Sequence, residues 1–208
     1  MIDNVSISHK DNHSGSKLFE ISMPRFGLGV WQMSDMECEA SILHALNNGY
    51  RLIDTATAYG NETAVGEAIK KSGIPRDEIF VVTKLRRVHA TGFDETIIQC
   101  KESLERLGLD YVDLYLVHAP PENISVRGEV WKAMEECLKL GLTRSIGVSN
   151  YGIKHLEDMK NYAEIMPSVN QIEVHPWLQR HELREANRKI GAITMGYSPL
   201  ARGHKVRD

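Results

Sequence analysis

Short, continuous apolar runs alternate along this chain with longer stretches in which apolar residues return every three or four positions. The first pattern suits buried strands and the second suits amphipathic helices. A weakly alternating segment over 17–23 suits a hairpin strand. Beyond it the pattern predicts strands at 26–30, 52–54, 80–85, 111–118, 143–148, 168–174 and 192–197. Helices are predicted between them at 34–48, 61–72, 93–107, 126–140, 153–162 and 179–189. In the first helix Ile42, Leu43, Ala45 and Leu46 form the apolar stripe, Ser34 is placed to cap the amino end, and Gly49 to close the other. In the third, Ile97, Cys100, Leu104 and Leu107 recur at helical spacing before Gly108. The run 111–118 is nearly unbroken in apolar residues, the kind that is covered on both faces in a parallel sheet.

Strand–helix alternation of this length favours a parallel α/β architecture. No Gly-x-Gly-x-x-Gly follows the first strand, which counts against a dinucleotide-binding doubly wound sheet. The expected fold is therefore of the (β/α)8 TIM-barrel type in one domain over 1–208. It is incomplete, because about seven of eight strand–helix units are present. A full barrel of this type takes about 250 residues; this chain has 208. With seven units the first and last parallel strands would each present an unpaired edge. Residues 1–15 are mostly polar with no apolar centre, and read as a flexible tail rather than a secretory signal.

Composition narrows the function classes. Apolar residues make up 42% and charged residues 25%, with a formal net charge of −3. That balance exerts no general pull toward nucleic acid or an anionic membrane, and no apolar run is long enough to span a bilayer. Cys38, Cys100 and Cys137 fall in separate helical segments without Cys-x-x-Cys spacing. They read as helix-face packing residues, not as a disulfide framework or zinc site, and suit a reducing, cytoplasmic setting.

The chemistry gathers at strand ends. Asp54 closes Leu52-Ile53-Asp54, Lys84 closes Val81-Val82-Thr83-Lys84, His118 closes Leu114-Tyr115-Leu116-Val117-His118, and Tyr59 lies just beyond Asp54. Each residue alone has an ordinary structural explanation: a turn aspartate, a half-buried phenol, a strand-end lysine, a buried histidine. Together they fall on the face where active sites of parallel α/β folds form. Reduction of a carbonyl needs a proton donor at its oxygen, and a tyrosine can serve if a nearby ammonium favours its phenolate. Lys84 can supply that charge, Asp54 can hold Lys84, and His118 can orient the carbonyl or relay a proton. The hydride must come from a cofactor, since no side chain can deliver one.

Several motifs carry a family resemblance. Gly49-Tyr50-Arg51-Leu52-Ile53-Asp54-Thr55-Ala56 leads to Tyr59-Gly60-Asn61-Glu62. Further on come Gly147-Val148-Ser149-Asn150-Tyr151, Val169-Asn170-Gln171-Ile172-Glu173 and Tyr197-Ser198-Pro199-Leu200. In this order they resemble the aldo-keto reductases, over about 23–200. The resemblance implies an NADPH-dependent oxidoreductase that reduces small aldehydes or ketones, with Tyr59 as proton donor, Lys84 and Asp54 as its partners, and His118 orienting substrate. It further implies that Ser149, Asn150 and Gln171 bind the nicotinamide carboxamide and that Tyr197 stacks on its ring. Ser198 and Leu200 would approach the pyrophosphate, and Trp31 would line the substrate pocket.

Some positions depart from the family's pattern. Ala119-Pro120 stands where Trp-Pro often follows the histidine, and Arg86-Arg87 where a tryptophan often follows the Lys-Leu pair. Both touch the expected pocket mouth and leave substrate preference open. The segment that would grip an adenosine 2′-phosphate has no counterpart; Arg202, His204, Lys205 and Arg207 form a basic cluster in its place that reads as a solvated tail. The same scaffold also serves as a channel-associated binding subunit, so fold alone leaves a non-enzymatic alternative.

Overall fold

The computed structural model describes residues 3–203. It begins with an antiparallel hairpin, β1 (Asn4–Lys10) and β2 (Lys17–Pro24). Strands and helices then alternate: β3 (Leu28–Gly29), α1 (Asp35–Asn47), β4 (Leu52–Asp54), α2 (Glu62–Ser72), β5 (Phe80–Leu85), α3 (Phe93–Leu107), β6 (Leu114–Val117), α4 (Ile124–Lys139), β7 (Ile146–Ser149), α5 (Ile153–Met159), β8 (Val169–Glu173), α6 (His181–Ile190) and β9 (Ile193–Tyr197). The seven strands β3 to β9 lie side by side in chain order, all parallel, as a nearly closed barrel wrapped by the helices. Among the described residues β3 and β9 each have one strand neighbour. No helix among them is long and apolar enough to cross a membrane.

Alternation along the strands sorts side chains into two layers. Ile53, Val81, Tyr115, Ile146 and Val148 pack outward among the helices, in one core with Ile42, Leu46, Leu104, Trp131 and Met134. Leu52, Phe80, Val82, Leu114, Leu116 and Val169 pack inward in a second core. Counting by twos from this inner set reaches Asp54, Lys84, His118 and Gln171. The strand period alone therefore aims four polar side chains at the same end of the barrel lumen.

Local signals behave as read. Ser34 caps α1 through a reciprocal pair: the Glu37 amide donates to the Ser34 hydroxyl, and Ser34 donates its amide to the Glu37 carboxylate. Cys38, Cys100 and Cys137 are buried, unbridged packing residues on α1, α3 and α4. Two glycines set close approaches. A Cβ on Gly66 of α2 would stand 2.0 Å from the Leu107 carbonyl oxygen at the end of α3. One on Gly147 would stand 2.6 Å from the Val169 oxygen. Hydrogen there lets α2 seat on α3 and β7 on β8.

The predicted strand over 26–30 shrinks to Leu28–Gly29, with Phe26 exposed. The larger correction concerns residues 1–15. Asn4–Lys10 is a paired strand, not a tail. Its polar residues alternate with Val5, Ile7 and His9, and Ile7 and Met23 join Leu52, Phe80, Leu114 and Val169, at the amino ends of their strands. The hairpin thus closes that end of the barrel. His9 is locked beneath it: Nδ1 lies 3.0 Å from the Met166 carbonyl oxygen and Nε2 2.9 Å from the Ser145 hydroxyl. Burial drives the His9 pKa down to about 4, against the raising effect of the Met166 bond. A composition-based reading sees only the polar half of this alternation.

Candidate active site

At the opposite, carboxyl end of the strands the four polar residues meet. The Lys84 side chain is wholly buried. Its Nζ donates to Asp54 Oδ1 over 2.6 Å, to the Thr55 carbonyl oxygen over 2.8 Å and to the Tyr59 hydroxyl over 3.3 Å. All three ammonium protons have acceptors, which is the condition for keeping such a charge out of water. Tyr59 reaches the site from a short 3-10 turn, Thr57–Tyr59, between β4 and α2. Its ring meets His118 edge-on, with centroids 5.8 Å apart.

The electrostatics refine the expected chemistry. Burial opposes charge on Lys84, yet the neighbouring Asp54 and Tyr59 overrule it and raise the lysine pKa. The ammonium persists at any working pH. For Tyr59, burial is the largest influence and raises the phenol; Lys84 pulls it down and Asp54 pushes it up. The lysine thus acts in the anticipated direction, but the expected lowering of the tyrosine is not the outcome, because desolvation of a phenolate outweighs one ammonium at 3.3 Å. The phenol is held as a protonated acid. His118 is driven down to about 4, by burial and then by the Lys84 charge. At neutral pH it is an uncharged imidazole, able to donate or accept a hydrogen bond.

The residues assigned to a nicotinamide form one connected patch beside this group. The Ser149 hydroxyl donates to the Gln171 carbonyl oxygen over 3.0 Å. Asn150, in a left-handed conformation at φ 61°, donates to the His118 carbonyl oxygen over 2.9 Å and to the Ser149 hydroxyl over 3.1 Å. The Tyr197 hydroxyl donates to Asn150 Oδ1 over 3.0 Å. Gln171 Nε2 donates to Asp54 Oδ2 over 2.7 Å, which joins the patch to the acid–base group. Ser198 follows at φ 49°, and Leu200 is largely exposed. Trp31 sits exposed after β3, with the Arg202 guanidinium 4.7 Å from its ring centre. Of the basic cluster, Arg202 therefore covers an aromatic ring; His204, Lys205 and Arg207 lie outside the described residues.

Sequence reasoning passed over the supports. The Thr55 hydroxyl donates to Asn61 Oδ1 over 2.8 Å, and Asn61 Nδ2 donates to the Val30 carbonyl oxygen over 2.9 Å. Glu62, buried on α2, accepts from Thr83 and Arg106. Thr55, Asn61 and Glu62 stand in the motif read from the sequence; Val30, Thr83 and Arg106 do not, since those contacts span distant segments.

An acid, a buried cation, a neutral imidazole and an amide-rich rim can together bind a polarised oxygen and hand it a proton. Comparison with known proteins bears on the family. The sequence model of the Aldo/keto reductase family matches residues 23–206. A protein of Mycolicibacterium vanbaalenii named aldo-keto reductase is 53% identical over 182 residues, 88% of this chain and 65% of that relative. The chain thus spans about two thirds of the length of such relatives. The crystal structure of an aldo/keto reductase from Brucella melitensis superposes with a TM-score of 0.87 at 40% identity, over 97% of this chain and 74% of that one. A Bombyx mori aldo-keto reductase solved in complex with NADP superposes with a TM-score of 0.82 at 33% identity, over 95% of this chain and 66% of that one. With the barrel and these likenesses in agreement, the chain belongs to the aldo/keto reductase family.

Proposed function

We propose that this chain carries the active site of an NADPH-dependent reductase of small aldehydes or ketones, with Tyr59 as proton donor. One observation carries the reading: the buried Lys84 ammonium bonds both Asp54 and the Tyr59 hydroxyl. An ammonium enclosed in this way has little structural purpose, because an apolar residue would fill the space at lower desolvation cost. It does stabilise the phenolate that forms when Tyr59 gives up its proton.

The donor set fits a nicotinamide. Ser149, Asn150 and Gln171 offer hydroxyl and amide groups complementary to a carboxamide, and the half-buried Tyr197 ring offers a face for a planar one. Ser198 and Leu200 follow on the same segment, toward the pyrophosphate. A likeness to an NADP-bound reductase supports the choice of cofactor. Bound there, NADPH supplies the hydride. The chain's own groups do the rest. His118, uncharged, donates a hydrogen bond that orients the substrate oxygen. Tyr59 delivers its proton to that oxygen as negative charge develops. Lys84, held by Asp54, offsets the charge left on Tyr59. Trp31 and the residues after β5 and β6, including Arg86, Arg87, Ala119 and Pro120, border the substrate. Buried, unbridged cysteines suit a reducing, cytoplasmic compartment.

The test is reduction of 4-nitrobenzaldehyde by NADPH, followed through loss of NADPH absorbance, with Tyr59→Phe in parallel. Turnover in the parent that collapses in the variant, at unchanged NADPH binding, supports the reading. NADPH binding without turnover in the parent would favour a binding subunit on this scaffold.

A further inference from the structure

We propose that Glu62 and Arg106, acting through Thr57, Ser103 and Thr83, are positioning residues that hold the Tyr59 turn in register with the Lys84 strand. This rests on the reading of Tyr59 as proton donor and adds the device that sets its place.

Tyr59 and Lys84 belong to different elements, and their contact is a 3.3 Å bond between two side chains. Nothing in that bond fixes the backbones that carry them. Behind them, on the helix side of the barrel wall, runs a continuous polar chain. Thr83 precedes Lys84 and, by strand alternation, points outward as Lys84 points inward. Its hydroxyl donates to Glu62 Oε1 over 2.5 Å. Glu62 Oε2 accepts from Arg106 Nε over 2.8 Å. Arg106 Nη2 donates to the Ser103 hydroxyl over 3.1 Å, and that hydroxyl lies 3.0 Å from the hydroxyl of Thr57. Thr57 opens the 3-10 turn that ends in Tyr59. The path therefore starts beside the lysine, crosses α2 and α3, and ends two residues before the tyrosine.

The packing shows that this seam is built closely. Gly66 lies one turn after Glu62 on α2, and its missing Cβ lets that helix meet the carbonyl of Leu107, which follows Arg106 on α3. Glu62 is 2% exposed. A carboxylate at such depth is costly unless both oxygens are satisfied, and here each has a donor of its own. Because a misplacement of about 1 Å can cost about 10²-fold in rate, a clamp on both backbones has a consequence at the reacting atoms.

The experiment uses Thr57→Val, Glu62→Gln and the conservative Thr57→Ser, each with and without Tyr59→Phe. Ultraviolet difference spectra across pH then isolate the Tyr59 phenol titration without cofactor or substrate. Thermal melts report folding, and kcat and KM come from NADPH-dependent reduction of 4-nitrobenzaldehyde. Thr57→Val and Glu62→Gln are expected to move the Tyr59 titration to higher pH, as the Lys84 contact loosens. They are also expected to lower kcat roughly 10- to 100-fold at unchanged KM, while Thr57→Ser keeps parent values in both. Folded Thr57→Val with parent titration and parent kcat overturns the proposal, whatever the fate of Glu62→Gln. So does Thr57→Ser behaving like Thr57→Val. If the parent protein reduces no aldehyde, the reductase reading fails while the phenol titration still decides the positioning role.

Discussion

Gln171 Nε2 donates to Asp54 Oδ2 over 2.7 Å, across 117 residues of chain. Asp54 is thereby held at both oxygens, by Lys84 on one and Gln171 on the other. The patch suited to a nicotinamide and the group suited to proton donation share a carboxylate, so a change in one reaches the other.

Replacing Gln171 by Leu keeps the volume near that of the parent and removes the donor. We expect NADPH affinity to fall about 5- to 30-fold, from the loss of one or two hydrogen bonds of about 1 kcal/mol each, with kcat reduced as well. Asn150→Ala should weaken NADPH binding with little effect on kcat. Quenching of protein fluorescence by NADPH, beside steady-state kinetics, separates the two. Equal effects of both variants on kcat would argue against the shared-carboxylate coupling.

Tyr59→Phe removes the hydroxyl and leaves the ring against His118. Loss of a general acid should reduce turnover about 10²–10⁴-fold, with NADPH binding intact. A variant that keeps parent turnover would require another proton donor.

Lys84→Met leaves the Asp54 carboxylate without its cation, and removing one partner of a buried pair should cost about 3–5 kcal/mol. Adding Asp54→Asn removes the orphaned charge and should recover part of that loss. Urea unfolding of parent, single and double variants checks the order. A single variant as stable as the parent would mean that the pair is not energetically coupled to the fold.

Acid should weaken the protein through its buried imidazoles. His9 falls from 6.5 to about 4 in the folded state, so the unfolded chain binds its proton first. Its stabilising contribution is whole above pH 6.5 and is lost as pH drops toward 4. The linked change is on the order of 3 kcal/mol. His118 acts in the same direction, lowered first by burial and then by Lys84. Unfolding free energy measured between neutral pH and pH 4 should fall, and a His9→Gln variant should fall less steeply. Matching slopes would remove His9 from this account.

The alternating patterns along the chain determined much of this molecule. Apolar runs and helical stripes place the seven parallel strands and six α-helices found among the described residues, because burial of an apolar face is a local property repeated at a fixed period. The period of two also sends Asp54, Lys84, His118 and Gln171 to the same side as Leu52, Val82, Leu116 and Val169. Tertiary structure decided what no local pattern contains. The hairpin strand Asn4–Lys10 looks polar until Ile7 and His9 find partners more than a hundred residues away. The Tyr59 pKa is raised, so the phenol is a weaker acid than a free one, because burial is a sum over the whole fold that the presence of a lysine cannot reveal. The bond from Gln171 to Asp54 and the path from Thr83 to Thr57 exist only once the strands and helices have packed, since hydrogen bonds reach about 3 Å while all of their partners except the local Arg106–Ser103 pair stand far apart along the chain.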